Sequence, residues 1–135
     1  MTSETNEASA LIAVVNDDSD FLEMMSTLLI DEGYRTVTAY SSKDAHDVIR
    51  RERPDLVILD IRMEQPASGW NLLDLVRLDP ATTDLPVLVC SADALFLRAK
   101  ADLLRAQRCE ALEKPFDLDV LLERVRGMLA AADPR

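Results

Sequence analysis

The sequence is poor in residues that build disulfide-stapled, zinc-binding or membrane-spanning proteins. Its 135 residues include two cysteines, three glycines, one histidine and one tryptophan. Two cysteines without a CxxC spacing do not make a zinc site by themselves. No apolar run approaches the roughly 20 residues that span a bilayer, and the polar N-terminal stretch is unlike a signal peptide. We therefore expect a cytoplasmic protein with reduced cysteines.

Positive charge is also scarce. Fifteen lysines and arginines stand against 25 aspartates and glutamates, which gives a formal net charge of −10. Phosphate backbones and anionic lipid headgroups repel such a surface, so we expect no nucleic-acid partner and no membrane partner. The length suits one domain, and 48% hydrophobic residues suffice for a core without a metal or disulfide.

Short apolar runs alternate with helical periods along the chain. Leu11–Val15, Leu56–Leu59 and Val87–Cys90 are unbroken apolar runs, typical of strands that are covered on both faces. Tyr34–Tyr40 alternates as an edge strand does, and a weak strand is predicted near Glu110–Glu113. A helical period follows each strand, so the pattern predicts an α/β protein with a parallel sheet between two helix layers.

The same pattern predicts the domain organisation. Residues 1–9 are expected to be a disordered tail and residues 10–132 one domain, with no effector domain. The apolar residues between Leu95 and Leu104 predict a single fourth helix, and Glu64–Gly69 predicts a loop. His46, the one histidine, is expected on a solvated helix face. Asp18 is expected to be a solvated or helix N-terminal charge rather than a metal ligand.

Chemistry-bearing side chains come directly after four of the predicted strands. Asn16 and Asp17 follow the first strand, Asp60 the third, Ser91 the fourth and Lys114 the fifth. Parallel strands place these residues at one edge of the sheet. Crowded carboxylates favour a cation, and hard oxygen ligands suit Mg²⁺. A carboxylate in such a cluster can attack a phosphoryl group, so the arrangement predicts an aspartate that accepts phosphate.

Four segments resemble the receiver domains of bacterial two-component response regulators, in their order and spacing. They are Val14–Asp18, Leu59–Met63, Ser91–Ala92 and Lys114–Phe116. The resemblance covers nearly the whole chain and is closest to stand-alone, chemotaxis-regulator-like members. It implies a flavodoxin-like (βα)5 three-layer sandwich with a parallel five-stranded sheet of order 2-1-3-4-5.

The resemblance also implies a function. A single-domain response regulator accepts a phosphoryl group from a histidine kinase or histidine phosphotransfer protein in a Mg²⁺-dependent reaction. It signals by contact with a downstream protein, and its only chemistry is its own phosphorylation and dephosphorylation, so no separate enzyme activity is expected.

Carried over residue by residue, the resemblance makes Asp60 the phosphoacceptor. Ser91 and Lys114 then contact the phosphoryl group, and the bond between Lys114 and Pro115 is expected to be cis. Ala92 is the small residue beside Ser91. The implied metal ligands are Asp17, Asp60, the backbone carbonyl of Arg62 and, through a water, Asn16.

The chain departs from the family pattern at four places. Asn16 stands where an acid is usual, which predicts weaker Mg²⁺ binding. Glu64 replaces a usual proline, and Ala111 replaces a switch aromatic, so no ring can swing there. The turn before the fifth strand lacks its usual glycine. In addition, Asp93 and Arg62 are at positions that flank the phosphoryl group. We predict an ion pair between them over the site; the alternative is that both side chains are solvated and do not meet.

Two other functions stay open. Asn16 and Ala111 favour a degenerate receiver that binds a partner without phosphorylation. A phosphatase of the haloacid dehalogenase type is a remote alternative, because Asp18–Asp20 has the DxD letters but lies at the start of a helix. A flavodoxin is excluded because acids after the first strand would repel the flavin phosphate.

Overall fold

The computed structural model of the chain describes residues 10–60 and 68–132. These residues form five strands and six helices. The strands are β1 (Leu11–Val15), β2 (Arg35–Ala39), β3 (Leu56–Asp60), β4 (Val87–Ser91) and β5 (Cys109–Glu113). The helices are α1 (Ser19–Asp31), α2 (Ser42–Glu52), α3 (Ser68–Leu78), α4 (Ala94–Ala99), α5 (Ala101–Ala106) and α6 (Leu118–Ala132). The predicted tail at residues 1–9 lies outside the described residues.

The five strands form one parallel sheet in the order β2-β1-β3-β4-β5. The predicted strand order and fold class are therefore confirmed. Every residue of β1 and β4 is buried, whereas the edge strand β2 is mostly half-buried or exposed. This difference explains why the central strands are unbroken apolar runs and β2 alternates.

Alternate side chains of the central strands enter two separate core layers. One layer holds Val15 and Leu59 and packs against α2 and α3. The other holds Val14 and Ile58 and packs against α1 and α6. Each of these strand residues is at most 1% exposed, so truncating Leu59 or Ile58 to alanine should cost about 2–5 kcal/mol of stability. No helix within residues 10–60 or 68–132 is long and apolar enough to cross a membrane.

Helix α1 begins where the sequence predicts a helix N-terminal charge. Asp18 has extended backbone angles, and its carboxylate accepts hydrogen bonds from the backbone N–H groups of Asp20 and Phe21. This cap satisfies two donors that have no partner inside the helix. The role predicted for Asp18 is confirmed, and the cap fixes the first turn of α1 directly after β1.

Two predictions about the helices are wrong. The expected fourth helix is two short helices, α4 and α5, which meet at Lys100. The Lys100 N–H bonds to the Phe96 carbonyl and closes α4, while the Lys100 carbonyl accepts from Leu104 and opens α5. Helix α3 begins at Ser68, inside the expected loop, and Glu64 lies outside the described residues.

The predicted solvation of His46 is also wrong. The His46 side chain is about three-quarters covered, and its Nε2 atom lies 3.9 Å from Asp79 Oδ2. Arg50 Nε lies 3.0 Å from the same carboxylate oxygen. Helix α2 packs beside α3, and Asp79 follows the last turn of α3. The Asp79 carboxylate therefore reaches the polar face of α2 on which His46 lies.

Candidate functional site

Four strands deliver polar residues to the carboxyl-terminal edge of the sheet. Val15 pairs with Leu59, so Asn16 follows β1 at the level of Asp60, the last residue of β3. Ser91 ends β4 and pairs with Glu113, the residue before Lys114. The parallel register thus brings together the side chains that the sequence predicts as a site.

The carboxylate of Asp60 is at the centre of this edge. Its Oδ2 atom lies 3.4 Å from Nδ2 of Asn16 and 3.4 Å from Nζ of Lys114. The Asp60 side chain is 17% exposed, so the carboxylate reaches solvent while its position is set by the sheet. Both contacts are longer than the usual range of a strong hydrogen bond, so they orient the carboxylate without binding it tightly.

Asn16 is held in one orientation by its surroundings. The residue is 2% exposed, and its Oδ1 accepts from the backbone N–H of Asp18 at 2.9 Å. The backbone N–H of Asn16 donates to the Ala39 carbonyl. The amide group therefore directs its NH₂ donor at Asp60. An acid at this position has no such donor, and this contact is a local reason for asparagine here. Its predicted water-mediated contact with Mg²⁺ stays a prediction.

Lys114 reaches Asp60 from the end of β5. Its backbone N–H donates to the Ser91 carbonyl at 2.8 Å, and the Lys114–Pro115 peptide bond is cis, as predicted. The ammonium lies 4.4 Å from the centre of the Phe21 ring. Phe21 is absent from the sequence candidates, because its place in the helical period of α1 indicates only a core position.

The Ser91 hydroxyl is buried beside this group and accepts from the Asp93 N–H at 3.1 Å. Asp93 in turn caps α4, because its Oδ1 accepts from the Phe96 N–H at 2.9 Å. Ala92 between them is exposed. The predicted ion pair between Asp93 and Arg62 stays a prediction, because Arg62 lies outside the described residues.

Ala111 is half-buried on β5, opposite Val89. It packs against the core layer under α2 and α3, and its carbonyl accepts from Arg124 on α6 at 3.1 Å. The methyl side chain confirms only that no aromatic ring is present here. The switch role of this position stays a prediction.

The thiol of the cysteine beside the site is unreactive. Cys90 pairs with Asp60 across the sheet, and burial raises the pKa of its thiol to about 12. Burial also raises the pKa of the Cys109 thiol, which lies at the other end of β5. Both thiols stay protonated at neutral pH and are poor nucleophiles. Neither thiol is therefore a candidate nucleophile for the site.

The donor set of the site is consistent with Mg²⁺. Within residues 10–60 and 68–132 no three histidine, cysteine, aspartate or glutamate side chains converge on one point. Asp17 and Asp60, the two implied carboxylate ligands, lie at the carboxyl-terminal ends of two adjacent strands, Asp17 two residues beyond β1 and Asp60 as the last residue of β3. Mg²⁺ usually takes few protein ligands and keeps several waters. The role of the Arg62 carbonyl stays a prediction.

The sequence matches the response regulator receiver domain family over residues 12–126. The Transcriptional regulatory protein ZraR of Salmonella typhimurium is 33% identical over 119 residues, which are 88% of this chain and 26% of that protein. The Response regulator MprA of Mycolicibacterium vanbaalenii is 35% identical over 124 residues, 91% of this chain and 52% of that protein.

Solved structures agree with this match. A putative response regulator from Chloroflexus aurantiacus superposes with a TM-score of 0.78 at 29% identity, over 90% of this chain and 98% of that one. The chemotaxis protein CheY4 of Vibrio cholerae gives a TM-score of 0.80 at 25% identity, over 89% of this chain and 98% of that one.

The chain spans about a quarter to a half of the curated relatives that it matches. One relative is named a DNA-binding response regulator and another a transcriptional regulatory protein. These names do not support the expectation that nucleic acid is absent from the partners. What the match over residues 12–126 does establish is that this chain belongs to the response regulator receiver domain family, whose general role in two-component systems is that of a phosphoacceptor.

Proposed function

We propose that the chain is a phosphorylation switch in which Asp60 accepts a phosphoryl group from a histidine kinase or a histidine phosphotransfer protein. The observation that carries this proposal is the placement of the Asp60 carboxylate at the end of β3, with the Lys114 ammonium 3.4 Å from its Oδ2 atom. The family match over residues 12–126 supports it.

In the proposed reaction an Asp60 carboxylate oxygen attacks phosphorus. The new bond joins this oxygen to phosphorus, and the bond between phosphorus and the donor's imidazole nitrogen breaks. The transferred group carries its negative charge on three oxygens. Lys114 is placed to neutralise part of that charge, and the Ser91 hydroxyl, at the end of the neighbouring strand, is available to donate to a phosphoryl oxygen.

Mg²⁺ would be held by Asp17, Asp60 and the Arg62 carbonyl, with Asn16 contributing through a water. When bound, the cation neutralises charge on the phosphoryl oxygens. The remaining work belongs to the chain itself. The sheet fixes Asp60, the amide of Asn16 orients it, and Lys114 supplies a positive charge on its other side.

The output of the switch is proposed to be contact with a downstream protein. The absence of an effector domain stays a prediction, because the relatives extend well beyond the length of this chain. Ala111 offers no aromatic ring, so we propose that the signal passes from Ser91 through the backbone of α4, whose N-terminus Asp93 caps.

A small phosphodonor such as acetyl phosphate tests the proposal. Wild-type chain incubated with the donor and Mg²⁺ should gain the mass of one phosphoryl group, and Asp60→Asn should gain none. The matched control is Asp55→Asn. Asp55 precedes the same strand at its opposite end, where its carboxylate accepts from the Leu11 N–H at 2.8 Å, and asparagine keeps an acceptor there. Equal labelling of wild type and Asp60→Asn would overturn the proposal.

One observation favours a second candidate, a receiver that binds its partner without phosphorylation. Asn16 donates directly to Asp60, whereas the family pattern has an acid that would favour metal binding instead. Beryllofluoride with Mg²⁺ separates the two candidates, since a phosphorylated switch should show saturable backbone NMR shifts at Ser91 and Lys114. The haloacid dehalogenase alternative is not proposed, because Asp18 caps α1 and does not end a strand.

A further inference from the structure

The ammonium of Lys114 lies between two different groups. On one side is the Asp60 carboxylate, with Oδ2 at 3.4 Å. On the other side is the face of the Phe21 ring, with its centre at 4.4 Å. The lysine side chain is 22% exposed, so most of its length is covered. A cation at this distance from an aromatic ring face is attracted by the negative charge of the π-system.

The ring is held firmly in this position. Phe21 lies in the first turn of α1, and its N–H donates to the capping carboxylate of Asp18 at 3.4 Å. Its side chain is half-buried and packs against the core layer under α1 and α6. Because the cap and the core both restrain it, the ring does not have to be ordered when the phosphoryl group arrives.

We propose that Phe21 is a positioning residue for phosphoryl acceptance, acting through Lys114. Lysine has a flexible four-carbon stem, and its ammonium is strongly hydrated. The ring face replaces water on one side of the ammonium and keeps the charge beside Asp60, where negative charge collects during transfer. The role rests on the proposed function of Asp60, and it assigns a residue outside the receiver motifs to the reaction.

The rate of labelling by acetyl phosphate is the first test. Phe21→Leu keeps an apolar side chain but has no π-face, so labelling should slow by about threefold to tenfold. Phe21→Tyr keeps the ring face and should label at nearly the wild-type rate. Tyr34→Leu is the matched control, because Tyr34 packs against the same core layer beyond the other end of α1. Its labelling rate should not change.

A double-mutant cycle separates positioning from a general loss of packing. If Phe21 acts through Lys114, then Phe21→Leu should have no further effect in a Lys114→Met background. A merely structural role would slow labelling by the same factor in both backgrounds. That result would overturn the proposal, as would an unchanged rate for Phe21→Leu in the wild-type background.

A readout that needs no phosphorylation checks the contact itself. A ring face above the ammonium should shift the Lys114 ε-methylene protons upfield in the NMR spectrum, and Phe21→Leu should abolish that shift. No such shift in wild type would overturn the proposed contact. A wild-type chain that takes no label would overturn the function of Asp60, whereas labelling that is indifferent to Phe21 would overturn only the positioning role.

Discussion

Replacing Asn16 with aspartate should destabilise the Mg²⁺-free protein and make its stability depend on the metal. The substitution exchanges an NH₂ donor, 3.4 Å from Asp60 Oδ2, for a carboxylate oxygen at nearly the same place. Two like charges about 4 Å apart repel by about 4 kcal/mol at an effective dielectric constant of about 20.

Two features of the site reduce this repulsion. The ammonium of Lys114 is also 3.4 Å from Asp60 Oδ2, and the Asp60 side chain is partly exposed to water. We therefore expect Asn16→Asp to lower the free energy of unfolding by about 2 kcal/mol without metal. Mg²⁺ at 100 times its dissociation constant contributes about 2.7 kcal/mol and should offset the whole loss.

Urea unfolding with EDTA and with Mg²⁺ measures both quantities for wild type and Asn16→Asp. The matched control is Asn71→Asp, which adds the same charge at an exposed position of α3. The control should differ from wild type by less than about 0.5 kcal/mol, with the same response to Mg²⁺. An Asn16→Asp variant as stable as wild type in EDTA would refute the placement of Asn16 against Asp60.

Three further predictions concern Cys90, the Asp18 cap and Arg77. Between pH 7 and about pH 10 wild type should lose roughly 1 kcal/mol more stability than Cys90→Ala in urea unfolding. The unfolded thiol ionises in this range, whereas burial raises the pKa of the folded thiol to about 12 and keeps it protonated. Equal losses in the two proteins would contradict this prediction. Asp18→Ala should cost about 1 kcal/mol and Asp18→Asn almost nothing, measured by thermal unfolding, since asparagine also caps. Arg77→Met should cost about 2–3 kcal/mol relative to the exposed-site control Arg98→Met, because the Arg77 guanidinium donates to three backbone carbonyls, those of Thr83, Leu85 and Gln107.

The architecture is predictable because burial on both faces leaves a strong signal in the sequence. Leu11–Val15 and Val87–Cys90 lie in strands that are buried at every residue, so no polar residue interrupts them. Polar residues then mark where each strand ends. For this reason the sequence alone predicts that Asp60 and Lys114 lie together, and their charged groups are 3.4 Å apart in the structure.

The features that the sequence did not reveal depend on how elements approach one another. Phe21 occupies an ordinary apolar position of α1, and only the approach of the β5 end brings Lys114 over its ring. His46 is covered because α3 ends beside α2. The break between α4 and α5 at Lys100 could not be predicted, because no glycine or proline marks it and the helical period continues across it.

One departure from the family pattern is visible in the backbone conformation of the turn before β5. The turn before β5 lacks its usual glycine, and Arg108 has a φ of 60°, a left-handed conformation that glycine adopts without strain. The Arg108 side chain donates to the Thr83 carbonyl at 2.7 Å and pairs with Asp84. These contacts give the arginine a structural role that glycine at this turn would not supply.

Direct mapping of the phosphorylated residue tests the central claim most directly. Wild-type chain labelled with acetyl phosphate and Mg²⁺ is reduced with borohydride, which converts an aspartyl phosphate to homoserine, and is then sequenced by tandem mass spectrometry. The account predicts homoserine at position 60 and at no other aspartate. Homoserine at Asp17 or elsewhere in its place, or no conversion at any position, would contradict it.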